Sequence, residues 1–236
     1  PPAAHISEVT MAERKLIVNE QPKSAAAEAY RTLRTNLQYA KVDGELKTIM
    51  YTSAGPSEGK STTIANTAVA LAHSGKKVIL VDCDLRKPVL HKIFDKKNQG
   101  LTNILVEHSN LNDYIQETDI ENLRIVTSGP IPPNPSELLG SLKMTELLAS
   151  LREQADMVLI DVPPVVAVTD ASVMASQVDG ITLVLDSGTV RPEMAQRAIE
   201  LLTNANGKIL GVILNRVEID DEHAYYYYYY GNDKKK

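Results

Sequence analysis

The stretch Ser53-Ala54-Gly55-Pro56-Ser57-Glu58-Gly59-Lys60-Ser61-Thr62 follows a β-like run, Thr48-Ile49-Met50-Tyr51-Thr52, and opens a helix-like segment. Small residues let a backbone wrap a phosphate with successive N–H groups pointing inward, and the helix that follows adds the positive end of its dipole. In that geometry Lys60 reaches the β- and γ-phosphates and Ser61 offers its hydroxyl to Mg²⁺, while Gly55, Ser57, Glu58, Gly59 and Thr62 complete the nucleotide-binding set. The strict motif begins with a glycine where this chain has Ala54, and a methyl is tolerable at that end of the loop. A Gly/Ser turn that merely caps a helix is the competing reading, against which the strand and helix flanks argue.

Around this loop, apolar β-rich runs alternate with helical ones: Thr48 to Thr52, Ser61 to Ser74, Val78 to Asp82, Leu123 to Thr127, Ser136 to Gln154, Met157 to Asp161, Ile181 to Leu185, Arg191 to Asn204 and Ile209 to Asn215. Strands that are apolar throughout and separated by helices predict an α/β fold, a doubly wound, mostly parallel sheet with helices on both faces. Ligands of such sheets sit beyond the carboxyl ends of the strands. Further upstream Ser24 is a plausible cap for a helix whose Ala26, Tyr30, Leu33 and Leu37 repeat at helical spacing. Residues 1–14 read as a disordered leader or fusion segment, 15–219 as one domain and 220–236 as a flexible, tyrosine-rich tail.

Two strands end in acids. Val78-Ile79-Leu80-Val81 runs into Asp82-Cys83-Asp84-Leu85-Arg86, and Met157-Val158-Leu159-Ile160 into Asp161-Val162-Pro163-Pro164. Mg²⁺ takes hard oxygen ligands and keeps several waters, so one or two carboxylates plus Ser61 and phosphate suffice. A strand-end Asp can instead cap a helix or satisfy a loop. Asp82 and Asp84 are expected to point to different sides and so to do different jobs. Asp84 and Asp161 are the candidates for the metal, and Asp82 for orienting or deprotonating an attacking hydroxyl. Arg86 either neutralises transferring phosphate charge or forms an ordinary ion pair with a carboxylate. Asn215, at a strand end, either contacts the adenine or is a loop residue.

Composition narrows the class. At 236 residues the chain is long enough to bury a core without staples, and its net charge of −5, with dispersed Lys and Arg, argues against a nucleic-acid binder. The single cysteine, Cys83, cannot form an internal disulfide, and no long apolar segment appears, which suits a reducing cytosol. His73, His91 and His108 show no metal spacing. Six of the ten tyrosines are consecutive, Tyr225, Tyr226, Tyr227, Tyr228, Tyr229 and Tyr230. Glu28, Arg31 and Arg34, taken alone, make a solvated helix face with an i, i+3 ion pair.

Assembled, these residues resemble the bacterial tyrosine kinases, whose catalytic domain is built on a P-loop ATPase scaffold akin to the partition ATPases. The resemblance runs from about Lys15 to the tail and rests on Gly59-Lys60-Ser61-Thr62, Val81-Asp82-Cys83-Asp84-Leu85-Arg86-Lys87-Pro88 and Ile160-Asp161-Val162-Pro163-Pro164. The second is the most discriminating, since most P-loop proteins lack it. The stretch Ser128 to Leu139 also resembles a family loop. The partition and division-site ATPases carry a second lysine early in the loop, where this chain has Gly55, which favours a kinase over an ATPase molecular switch.

The resemblance implies ATP and Mg²⁺ as cofactors and autophosphorylation in trans of Tyr225 to Tyr230 within a ring-like homo-oligomer joined through Glu28, Arg31 and Arg34. It further implies protein-tyrosine substrates, a cognate phosphotyrosine phosphatase, and a membrane adaptor that recruits the cytoplasmic kinase to the inner face of the membrane, in control of capsular or extracellular polysaccharide production. Family tails space their tyrosines, whereas these six are contiguous.

Overall fold

The computed structural model describes residues 16–40, 46–107 and 109–217. Its centre is one sheet. The parallel strands are β1 (Thr48–Ser53), β2 (Val78–Asp82), β4 (Leu123–Val126), β5 (Met157–Asp161), β6 (Gly180–Asp186) and β7 (Ile209–Asn215), and the two-residue β3 (Gln116–Glu117) joins β4 antiparallel. The order across the sheet is β3-β4-β2-β5-β1-β6-β7. Every residue of β1, β2, β5 and β6 is buried, as a sheet covered on both faces requires.

Alternation along the strands feeds two cores. Ile49 and Tyr51 of β1 and Val78 and Leu80 of β2 face one side. There they pack on α1 (Ile17–Glu20), α2 (Ala25–Tyr39) and the long α3 (Lys60–Ala72). Met50, Ile79 and Val81 face the other, toward α7 (Leu142–Gln154) and α9 (Pro192–Asn204). The remaining helices, α4 (Leu90–Ile93), α5 (Leu101–Glu107), α6 (Pro135–Leu139) and α8 (Asp170–Met174), are short and lie in the connections. Among the described residues no helix is long and apolar enough to cross a membrane.

Ser24 does cap α2, its hydroxyl accepting the Ala27 amide at 3.1 Å. Ala27, not Ala26, turns to the core with Leu37. The helix expected from Ser136 to Gln154 is broken at Gly140-Ser141, because the Ser141 hydroxyl accepts the Met144 amide and starts α7 afresh. His73 ends α3 and His91 lies in α4. His108, the leader and the tyrosine tail lie outside the described residues.

Candidate functional site

The phosphate loop leaves β1 at Ser53 and ends at Gly59, the left-handed residue (φ 83°) that precedes α3. Ser57 is also left-handed (φ 63°). Within the loop the Glu58 carboxylate accepts the Gly55 amide at 2.7 Å, and its second oxygen is buried without a partner. Burial pushes the Glu58 carboxyl above its ordinary pKa, against the Gly55 and Ala54 amides that favour its charged form. Two side chains from the end of β7 fasten the loop from outside: Asn215 Nδ2 donates to the Glu58 carbonyl at 3.0 Å and Arg216 Nη1 to that of Ser57 at 3.1 Å. Arg216 is itself paired with Asp186, at the end of β6, at 2.6 Å.

The strand-end acids converge on Lys60. β2 and β5 are neighbours in a register that sets Asp82 beside Asp161. The buried Lys60 ammonium bonds to Asp161 Oδ1 and stands 3.6 Å from Asp84 Oδ2 and 3.4 Å from the Ser61 hydroxyl. Burial works against the ammonium, but Asp161 and Asp84 outweigh it and hold its pKa above the ordinary lysine value. Asp161 is itself raised, by burial foremost, with Lys60 opposing.

Contrary to the expectation of different sides, Asp82 and Asp84 share a face, since residues two apart do so in an extended chain and Val81, Cys83 and Leu85 all enter the other core. Asp82 differs in what it bonds: Oδ1 accepts the Asp84 amide at 3.2 Å, and Oδ2 accepts those of Val89 (3.2 Å) and Leu90 (3.0 Å), at the start of α4. The helix-capping role is thus realised at Asp82. Burial, and then Asp161, push its carboxyl up to about 8. Cys83 between the acids is buried, and desolvation keeps its thiol protonated well above the ordinary range.

The residues present fit a magnesium-bound nucleotide. Ser61, Asp84 and Asp161 offer hard oxygens around the Lys60 ammonium, and Asp161 Oδ2 is buried without a hydrogen-bond partner, an orphan that a cation or its water would satisfy.

Arg86 is placed differently. Its guanidinium grips both oxygens of Asp170 at 2.9 Å, the ion-pair alternative, and that bond, more than the charges nearby, raises its pKa. Asn215 lies on the loop backbone at Glu58. Glu28, Arg31 and Arg34 lie on α2, away from the strand ends: Arg31 Nε pairs with Glu28 at 2.7 Å, and Arg34 Nη1 donates to the Ala70 carbonyl of α3 at 3.4 Å. Reasoning from sequence missed Asp186, Arg216 and Asp170. Asp186 ends a strand as Asp82 and Asp161 do, and the same rule would have found it.

The chain and its fold resemble those of known proteins. The family described as an AAA domain matches residues 46–188. The Bacillus subtilis (strain 168) tyrosine-protein kinase YwqD is 45% identical over 214 residues, covering 90% of each chain. Among solved structures, the chimerical protein CapA2B2 superposes with a TM-score of 0.83 at 42% identity, over 86% of this chain and 90% of that one. The septum site-determining protein MinD of Pyrococcus horikoshii OT3, complexed with Mg-ADP, gives a TM-score of 0.62 at 28% identity, over 77% of each chain. The chain belongs to the bacterial tyrosine kinases built on the P-loop ATPase scaffold.

Proposed function

We propose that this protein is an ATP-dependent tyrosine kinase that transfers the γ-phosphoryl group to tyrosines of the Tyr225 to Tyr230 run on a second copy of the chain. The observation that carries the reading is the convergence of Lys60, Asp84, Asp161 and Ser61 at the mouth of a glycine-ended loop. Phosphoryl transfer asks little covalent work of a protein, so its rate comes from in-line positioning and charge neutralisation. The loop amides and Lys60 bind the phosphates. Ser61, Asp84 and Asp161 would hold Mg²⁺, which would supply charge neutralisation when bound.

The tyrosyl oxygen forms a bond to the γ-phosphorus as the bond to the β–γ bridging oxygen breaks, and ADP leaves with that electron pair. A phenol with a pKa of about 10 is a weak nucleophile at neutral pH, so its proton must pass to a base. Asp82 is that base: three amides leave one of a carboxylate's roughly four acceptor positions open, and burial raises its proton affinity above that of an ordinary carboxylate.

Glu28, Arg31 and Arg34 join subunits of a homo-oligomer, which brings one tail to the next subunit's site. The kinase works on the cytoplasmic face of the membrane through an adaptor, opposed by a phosphotyrosine phosphatase, and controls capsular or extracellular polysaccharide production. Family membership supports these roles.

Incubating the chain with Mg-ATP and measuring intact mass and phosphotyrosine, beside Lys60→Met and a version ending at Ala224, tests the assignment. Phosphotyrosine that vanishes in both variants is expected; hydrolysis with no gain in mass would make the protein a nucleotide switch instead.

A further inference from the structure

A buried carboxylate outside the nucleotide cradle ties two loops of the carboxyl rim together. Asp170, at the start of α8, has a side chain with no exposed surface. Arg86 Nε donates to its Oδ2 at 2.9 Å and Arg86 Nη2 to its Oδ1 at 2.9 Å, and the Ser136 hydroxyl donates to the same Oδ1 at 2.6 Å. That hydroxyl in turn accepts from Arg86 Nη2 at 3.2 Å and from Thr169 Oγ1 at 3.1 Å. Burying a carboxylate is costly unless it is paired and fully hydrogen-bonded, so the arrangement resists loosening.

Each partner of Asp170 anchors a different segment. Arg86 lies just past Asp84, whose Oδ1 accepts the Lys87 amide at 3.0 Å while Oδ2 faces Lys60. Ser136 lies in α6, directly after the proline-rich Gly129 to Asn134 stretch. The acid-bearing turn therefore cannot shift without breaking the grip of Arg86 on Asp170. The guanidinium, committed at Nε and Nη2, is in no position to serve transferring phosphate with those groups.

We infer that Arg86, Asp170 and Ser136 form a positioning unit that fixes the Asp84 carboxylate for the metal of the bound nucleotide. The inference rests on the nucleotide site of the kinase reading. Arg86 then acts through Asp84, as outer-shell partners of metal ligands do. Loss of such partners costs about 10- to 100-fold in metal affinity.

Calorimetric titration of ADP into the full chain at graded Mg²⁺ tests the unit, using Arg86→Ala, Asp170→Asn, their double variant and Ser136→Ala. Without Mg²⁺, ADP binds all of them as it binds the parent. The Mg²⁺ concentration that half-maximally strengthens ADP binding rises about tenfold in each single charge variant and no further in the double, because the two residues act as one. Ser136→Ala keeps the ion pair but removes the hydroxyl's bond to Asp170 and those it accepts from Arg86 and Thr169, and shifts the requirement by about threefold or more, so the unit stays testable even if Asp170→Asn fails to fold. An unshifted Mg²⁺ requirement in Arg86→Ala and Ser136→Ala, or additive shifts in the double variant, overturns the positioning unit alone. A parent whose ADP affinity ignores Mg²⁺ overturns both the unit and the kinase reading.

Discussion

Asn215 occupies the volume that a side chain on Gly59 would need: a Cβ built there would lie 2.0 Å from Asn215 Nδ2. The same amide donates to the Glu58 carbonyl at 3.0 Å, and Arg216, braced by Asp186, holds the Ser57 carbonyl at 3.1 Å. An edge strand, β7, thereby shapes a loop that starts from β1, two strands away in the sheet.

Gly59→Ala should therefore fail for two separable reasons. The left-handed φ of 83° strains any residue with a Cβ, at about 1–2 kcal/mol, and the new methyl collides with Asn215. Asn215 can swing aside only by giving up its bond to the Glu58 carbonyl, so we expect stability to fall by about 2–3 kcal/mol, with strain and the lost hydrogen bond together. Adding Asn215→Ala removes the collision and leaves the strain, so the double variant should be more stable than the sum of the singles predicts. Urea denaturation of the four proteins checks this, and strict additivity would refute the contact.

Asp82→Asn distinguishes the two roles its geometry allows. As the base for the tyrosyl proton, its loss should cut kcat by about 10²- to 10⁴-fold and leave ADP affinity intact. As a cap alone, it should lower thermal stability while leaving kcat within a small factor of the parent. Single-turnover phosphorylation at saturating Mg-ATP separates the outcomes, and an unchanged rate would remove Asp82 from the chemistry.

The nucleotide cradle was legible because it is local in sequence: Ser53 to Thr62 is one continuous run, and Asp82 and Asp161 each close an apolar strand. Adjacent strand ends then bring them together, a consequence of the parallel sheet alone. The clamps were not legible, since Arg216 reaches Ser57 and Arg86 reaches Asp170 across long stretches of chain, and no spacing rule reports such partners. The short helices α4, α5 and α8 escaped for a related reason. Segments of a few residues carry too little periodicity to read, and tertiary contacts hold them. Ala27 facing inward in place of Ala26 is a one-residue error of phase in an alanine-rich turn, where pattern cannot choose.

At the opposite end of the sheet, Asp179 clamps the entry to β1. Its Oδ2 accepts the Lys47 amide at 2.9 Å, the Thr48 amide at 2.8 Å and the Thr48 hydroxyl at 2.9 Å, and Oδ1 accepts from Arg152 at 2.8 Å. Desolvation opposes its charge, but the Thr48 amide and Arg152 prevail and hold its carboxyl below the ordinary 3.8. A depressed carboxyl stabilises the fold above its unfolded pKa and loses that contribution as pH falls through the folded value. Asp179→Asn should thus cost about 2 kcal/mol near neutral pH, as charge-assisted hydrogen bonds weaken. The deficit should stay level down to about pH 5 and shrink below about pH 4. Urea midpoints across that range check the sign, and a deficit that grows in acid would contradict it.

The remaining prediction concerns assembly. Glu28 and Arg31 are half-exposed and pair at 2.7 Å within one helix, a contact worth only a few tenths of a kcal/mol to a monomer. Arg31→Glu also gives up the exposed bond from Arg31 Nη2 to the Pro22 carbonyl at 2.8 Å, so it should lower the melting temperature only slightly, whereas at a subunit junction it places like charge against its partner. If α2 joins subunits as proposed, combining it with Arg34→Glu should convert that proposed oligomer to smaller particles in sedimentation velocity and slow the proposed phosphorylation between copies. Phosphorylated tails should act in the same direction, because each phosphotyrosine adds about 1.5–2 negative charges beside an acidic site. Sedimentation of the parent before and after Mg-ATP treatment reads that second effect. If particle size is the same in the double variant and the parent, the α2 charges do not join subunits; if ATP treatment leaves the parent's size unaltered, tail charge does not govern assembly.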